Sequence, residues 1–234
     1  ERQKDLNPLK PAPLMICARG GWGAARLLEK PQVWETGWIV GYSDITALLW
    51  ARLKAGFHGC VHGPMLAELA LEPPWSQERL RSILFGETVP TIEGEGWIGG
   101  VATGPLLVAN LTVASHLLGS HHVPNLQGAI LILEDVGEAP YRIDRMLTHF
   151  RLLGLLQGLA GIGFGSFQDC EDREDVSREN TFLLEEVLQE RTADLRIPVV
   201  GNLPIGHCHG NAALPLGSQA TLDGNKGELS LLVS

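Results

Sequence analysis

The stretch Val40-Gly41-Tyr42-Ser43-Asp44-Ile45 decides how this chain is read. Trp38-Ile39-Val40-Gly41 is a short apolar run of the kind that forms a strand buried on both faces. From Ile45 to Leu53 the spacing turns helical, with Leu48, Leu49 and Leu53 on or near one face. The serine therefore sits on a tight strand-to-helix turn at the carboxyl edge of a sheet, with its hydroxyl outward. The N–H that follows, that of Asp44, points where an oxyanion would form. Two readings stand for this turn. Either Ser43 is a nucleophile that needs a base nearby, or Ser43 or Asp44 caps the helix behind it. The pattern departs from G-x-S-x-G, because Ile45 replaces the second glycine.

Upstream the same order occurs once more. Leu14-Met15-Ile16-Cys17-Ala18 is a compact apolar run, Gly20, Gly21 and Gly23 end it, and Ala24, Ala25, Leu27 and Leu28 follow at helical spacing. Strand, turn, helix, twice over, predicts an α/β fold with a parallel sheet and covering helices. The turn Arg19-Gly20-Gly21-Trp22-Gly23 has three readings. It is a tight turn needing positive φ, a glycine N–H completing an oxyanion hole, or a dinucleotide loop. Arg26 opposes the last, standing where a third glycine would let helix and strand pack closely.

Composition narrows the function. The 234 residues are 44% hydrophobic and 19% charged, an ordinary globular balance, with a formal net charge of -9. An acidic chain is a poor partner for nucleic acid or for an anionic membrane face. No apolar run reaches the roughly 18 to 20 residues of a spanning helix. The four cysteines, Cys17, Cys60, Cys170 and Cys208, form no CxxC pair and read as reduced thiols of a cytoplasmic protein. The chain opens on Glu1-Arg2-Gln3-Lys4-Asp5, without a methionine or a signal-like apolar stretch, and is expected to be part of a longer polypeptide.

The stretch from Glu72 to Gly96, with Pro73-Pro74-Trp75 and Glu93-Gly94-Glu95-Gly96, reads as a boundary. It divides the chain into residues 1–95 and 96–234. In the second part Leu131-Ile132-Leu133 and Ala160–Phe164 read as strands, and Tyr141–Leu156 and Thr181–Arg191 as helices. Pro198-Val199-Val200, Ala213–Leu216, Gln219–Leu222 and Leu229–Val233 make a β-rich end.

Candidate acids and bases lie in that second part. Leu133-Glu134-Asp135 places two carboxylates at the end of an apolar strand, the edge where sites collect in α/β folds. Glu134 can orient an imidazole, whereas Asp135 and Glu138 read as caps for a helix starting near Pro140. Among the eight histidines, His207 lies in a glycine-flanked loop, Gly206-His207-Cys208-His209-Gly210, suited to a general base or to a structural histidine. No set of histidines and cysteines has convincing metal-ligand spacing.

Together these segments resemble the serine LD-carboxypeptidases (murein tetrapeptide carboxypeptidases), a family that includes the microcin C immunity proteins. The resemblance rests on Cys17–Leu28, Gly41–Leu49, His62-Gly63-Pro64-Met65, Asn110-Leu111-Thr112, Leu133–Arg145 and Gly206-His207. It implies a Ser–Glu–His triad of Ser43, Glu134 and His207, with oxyanion donors at Asp44 and in the Gly20-Gly21 turn, Gly21 being the first choice. Arg19, with Gly20, is a candidate for holding the substrate's carboxylate. The resemblance further implies a Rossmann-like N-terminal layer over residues 1–95 and a β-rich α/β domain over 96–234, with the active site in the cleft between them. It implies a homodimer acting on a peptide or muropeptide without a cofactor or metal. The alternative within the family is hydrolysis of an acyl-phosphoramidate peptide-nucleotide, with Trp97 or Trp75 as an aromatic platform. Trp22 stands where the family has tyrosine, and Val108-Ala109 precede Asn110 where it has two glycines. The family also has a longer segment ahead of Arg19, so the first strand and helix of the sheet are expected to be missing here.

Overall fold

The computed structural model describes residues 12–172 and 181–232; Glu1–Asp5 and Val233 lie outside them. The chain runs β1 (Leu14–Ile16), α1 (Ala24–Leu27), β2 (Trp38–Gly41), a 3-10 turn (Ser43–Ile45), α2 (Thr46–Lys54), β3 (Cys60–His62), α3 (Leu66–Leu69) and α4 (Pro74–Leu84). It continues β4 (Ile92–Glu93), β5 (Glu95–Ile98), β6 (Val101–Asn110), α5 (Leu111–Leu117), β7 (Ile130–Val136), α6 (Pro140–Leu152) and β8 (Gly161–Gln168). It ends α7 (Leu184–Thr192), β9 (Val199–Gly201), β10 (Leu214–Leu216), β11 (Gln219–Asp223) and β12 (Glu228–Leu231).

Among the described residues the strands form two sheets. In the first, β1, β2 and β3 are parallel neighbours, as the repeated strand-turn-helix order predicts. The first sheet takes its fourth strand from far along the chain, β10 pairing antiparallel with β3. The second sheet runs β4-β12-β11-β6-β7-β8-β9-β5, with β6 to β9 parallel at its centre. Its two outer strands, β4 and β5, are consecutive in sequence and separated only by Gly94. The sheet therefore curls until its edges meet, as a barrel does. Gly94 sits at that seam, donating its N–H to Gly227 O at 2.8 Å, and a Cβ there would press on Leu203 at 2.9 Å.

Helix α2 joins the two sheets. Every residue from Thr46 to Arg52 is buried, so these first two turns have no solvent face and fill the layer between the sheets. Trp50 Nε1 donates to Val108 O at 3.0 Å, and Thr46 Oγ1 accepts from Asn110 N–H at 3.0 Å. Both acceptor and donor lie on β6, whose Asn110 stands in register with Glu134 on β7. The helix that begins behind Ser43 is thus bolted to the strand beside the candidate acid.

Candidate active site

The turn at Ser43 is built by its neighbours. A Cβ on Gly41 would meet the Ile45 side chain at 2.9 Å, so glycine is needed for the chain to fold back on the strand. Ser43 takes φ 59, a left-handed conformation that costs a residue with a side chain about 1 to 3 kcal/mol and is kept only where the surroundings impose it. Asp44 supplies part of that constraint, its two carboxylate oxygens accepting the Ala24 N–H at 3.1 and 3.0 Å. The capping expectation is thereby corrected. The N-cap of the 3-10 turn is Tyr42 and that of α2 is Ile45, neither with a side-chain bond, while Asp44 serves the start of α1, upstream.

Gly20, buried, packs directly on the serine: a Cβ there would lie 3.3 Å from Ser43 Cβ and 3.5 Å from Ser43 Oγ. Gly21, at φ 111, is exposed and lies instead beside the exposed Arg19 guanidinium. The Ser43 hydroxyl, half-buried, has no hydrogen-bond partner among the described residues.

Glu134 and His207 meet at the carboxyl edge of the second sheet. His207 Nδ1 donates to Glu134 Oε2 at 2.6 Å, which leaves Nε2 as the basic nitrogen. Glu134 is wholly buried on β7, and burial pushes its carboxyl up against the pull of His207. Burial acts to lower the His207 imidazole, but Glu134, Asp135 and Glu68 outweigh it and hold it above its ordinary value. The pair needs Gly206, which has φ 96 and where any Cβ would collide with the Glu134 side chain.

Asp135 does not cap the helix at Pro140. It accepts from Thr112 N–H and Oγ1, both at 2.8 Å, and from Asn110 Nδ2 at 3.0 Å, anchoring α5 to β7. The N-cap of α6 is Ala139 without a side-chain bond, and Glu138 pairs with Arg142 on the surface at 3.2 Å.

Tyr42, Glu68 and His62, none of them read from the sequence as catalytic, form a group that touches the imidazole through Tyr42. The Tyr42 ring, one residue before Ser43, meets His207 edge-on at 4.8 Å between centroids, so the serine turn touches the base through its neighbour. Tyr42 Oη donates to Glu68 Oε2 at 2.7 Å. On its other flank lies His62, 5.8 Å away, wholly buried with neither ring nitrogen hydrogen-bonded. Burial, helped by His207, pushes the His62 imidazole down to about 3. Nothing in the local sequence marks these contacts, which span distant segments.

His62 yields a stability prediction. Below its ordinary value of 6.5 the unfolded chain takes up a proton that the folded one refuses, so stability falls as pH drops from 6.5 toward about 3. The slope from this one group is about 1.4 kcal/mol per pH unit. His207, held high, acts with the opposite sign, its stabilisation being lost as pH rises. The comparison with His62→Leu isolates the first effect. Urea midpoints at pH 7.5 and 5.0 should fall less on acidification in the variant, and equal falls would contradict the assignment.

A cavity of about 1100 Å³ lies against His207, with Trp97, Phe164 and Phe167 in its wall; Ser43 and Glu134 do not line it. Trp75 lies elsewhere, over Gly210. Among the described residues no cluster of three or more His, Cys, Asp or Glu could hold a metal ion, and no helix is long and apolar enough to cross a membrane. All four cysteines are unpaired.

Ser43 thus stands on a left-handed turn at the end of a parallel strand, and its neighbour Tyr42 touches the imidazole that is bonded to Glu134. The chain belongs to the LD-carboxypeptidase family: residues 4–63 match its N-terminal domain and 103–222 its C-terminal domain. It is 47% identical over 221 residues to a putative carboxypeptidase of Synechocystis, covering 93% of this chain and 72% of that protein. It is 35% identical over 231 residues to the murein tetrapeptide carboxypeptidase of Pseudomonas aeruginosa, covering 90% of this chain and 72% of that protein. Its fold is similar to the crystal structure of muramoyltetrapeptide carboxypeptidase from Oxalobacter formigenes, with TM-score 0.79 and 27% identity, covering 95% of this chain and 79% of that one. The chain is a hydrolase of the carboxypeptidase class.

Proposed function

We propose that this hydrolase is a murein tetrapeptide LD-carboxypeptidase with Ser43 as nucleophile, His207 as base and Glu134 as the acid that orients it. The 2.6 Å bond between His207 Nδ1 and the wholly buried Glu134 carries the proposal, because it fixes Nε2 as the proton acceptor. Nε2 takes the Ser43 proton as Oγ attacks the carbonyl of the L-to-D peptide bond. The imidazolium that forms is stabilised by Glu134 and then protonates the leaving nitrogen of D-alanine. The N–H of Asp44 and one from the Gly20-Gly21 turn hold the oxyanion. Water activated by the same imidazole hydrolyses the acyl-enzyme. Ser43 and His207 are not hydrogen-bonded to each other, and the proposed proton transfer needs that bond to form when substrate binds.

Ser43 comes from the part before residue 95 and the other two from the part after it, so both parts build the site. Arg19 and Gly20 are proposed to face the substrate's terminal carboxylate. The unpaired cysteines suit a cytoplasmic enzyme, in peptidoglycan recycling, and the family resemblance suggests a homodimer.

The second reading, cleavage of an acyl-phosphoramidate peptide-nucleotide, draws on Trp97 in the cavity wall beside His207. It also draws on the similarity, 27% identity over 229 residues covering 82% of this chain and 64% of that protein, to the microcin C7 self-immunity protein of Escherichia coli. Both substrates presented to one preparation separate the two. Mass spectrometry of a disaccharide tetrapeptide digest should show loss of one D-alanine, and an unchanged tetrapeptide with a cleaved phosphoramidate would reverse the order.

A further inference from the structure

The loop that carries His207 is held from two sides. From the second sheet, Ser166 Oγ on β8 donates to His207 O at 3.0 Å. From the other side come groups at and before α4. Glu72 Oε2 accepts the N–H of Gly210 at 2.8 Å and of Asn211 at 3.2 Å. Ser76 Oγ donates to Asn211 O at 2.7 Å, and Arg79 Nε to Ala213 O at 2.9 Å. Asn211 passes the grip inward, its Oδ1 accepting the Gly206 N–H at 2.9 Å, one residue before the histidine. The Trp75 ring lies over Gly210, where a Cβ would approach it to 2.6 Å.

We propose that Glu72, with Ser76, is a positioning element for the base, locking the Gly206–Asn211 loop so that the His207 imidazole is held on Glu134 and turned toward Ser43. The proposal rests on the triad reading. Its geometric reason is that Ser43 and Glu134 belong to different sheets, so an imidazole serving both needs its loop fixed to both. Ser166 fixes it to the second sheet. Glu72 and Ser76 fix it to the segment that follows β3 of the first. A carboxylate accepting two consecutive N–H groups is a stronger anchor than neutral acceptors. Glu134 and Tyr42 touch the imidazole itself, whereas the contacts of Glu72 with this loop are to the backbone N–H groups of Gly210 and Asn211.

The test uses the full chain with Glu72→Ala, Glu72→Gln and Ser76→Ala. Each is assayed for kcat and KM on the disaccharide tetrapeptide across pH, for thermal melting, and by proton NMR for the downfield Nδ1–H resonance of the His207–Glu134 pair. Glu72→Ala should lower kcat by about 10- to 100-fold with KM little changed, since a misplacement of about an ångström costs on that order. It should also broaden the resonance and move the acid limb of kcat/KM to lower pH, as the imidazole loses its hold on Glu134. Glu72→Gln, which keeps an acceptor oxygen, should recover most of the rate. Wild-type kcat, acid limb and resonance in a folded Glu72→Ala would overturn the proposal, and so would a lowered melting point with all three unchanged. If Glu72→Ala does not fold, Ser76→Ala decides by the same readouts with a smaller expected effect. If the wild type leaves tetrapeptide intact, the functional reading fails, and the resonance alone decides the role of Glu72.

Discussion

Replacing Ser43 with alanine is expected to lower kcat/KM on a murein tetrapeptide by about 10⁴- to 10⁶-fold while leaving the fold intact. On the proposed mechanism the loss is large because a triad acts as a unit: without Oγ the imidazole would have no proton to accept and no acyl-enzyme would form. The activity that remains would come from the oxyanion donors and from binding. The fold should hold because the hydroxyl has no hydrogen-bond partner among the described residues, and alanine meets the same left-handed backbone conformation as serine. A surface-type change of about 0.5 kcal/mol or less is the expected effect on stability. A serine-directed phosphonate should label the wild type and not the variant, which also separates an enzyme from a binding protein that kept the fold. Hydrolysis near the wild-type rate in Ser43→Ala would refute the assignment.

What the sequence reveals about this site depends on how local the determining interaction is. The strand, turn and helix around Ser43 are legible because apolar spacing and Gly41 act within a few residues. Glu134 is legible as the first carboxylate at the end of an apolar strand. The bonds that give each residue its task are not legible, because they cross the chain. Asp44 looks like a cap for the next helix but serves Ala24, and Asp135 looks like a cap for α6 but holds Thr112. Glu72 falls in what reads as a boundary, yet it grips Gly210. Pro73-Pro74 is read only as part of that boundary, but a proline fits the first turn of a helix, and α4 starts there. β6 escapes notice because Gly104 and Pro105 interrupt its apolar run; its pairing with β7 begins only at Leu106, beyond them. His207 is the extreme case. A glycine-flanked loop histidine permits a base or a structural residue, and the bond to Glu134 that supports the base reading joins residues far apart in the sequence.

The glycine beside that histidine sets the second large effect. Gly206→Ala is expected to cut kcat/KM by about 100-fold or more, because the new methyl group has nowhere to go. Two penalties coincide at this position. The backbone stands at φ 96, where a side chain is strained by about 1 to 3 kcal/mol. The Cβ would also overlap the Glu134 carboxylate and press on its Cγ at 2.5 Å. Glu134 is wholly buried on a central strand and cannot retreat, so the loop must shift and carry His207 Nδ1 away from Oε2. The damage should therefore fall on catalysis and on stability together, unlike Ser43→Ala, which should spare stability. Ala212, wholly buried a few residues further along, makes a useful contrast. Ala212→Gly removes a buried methyl without touching the Glu134–His207 pair, so its cost should appear in the melt more than in kcat/KM. A folded Gly206→Ala enzyme that keeps wild-type kcat/KM would mean that Glu134 and His207 need not stay bonded for turnover, and the acid would have to be sought elsewhere.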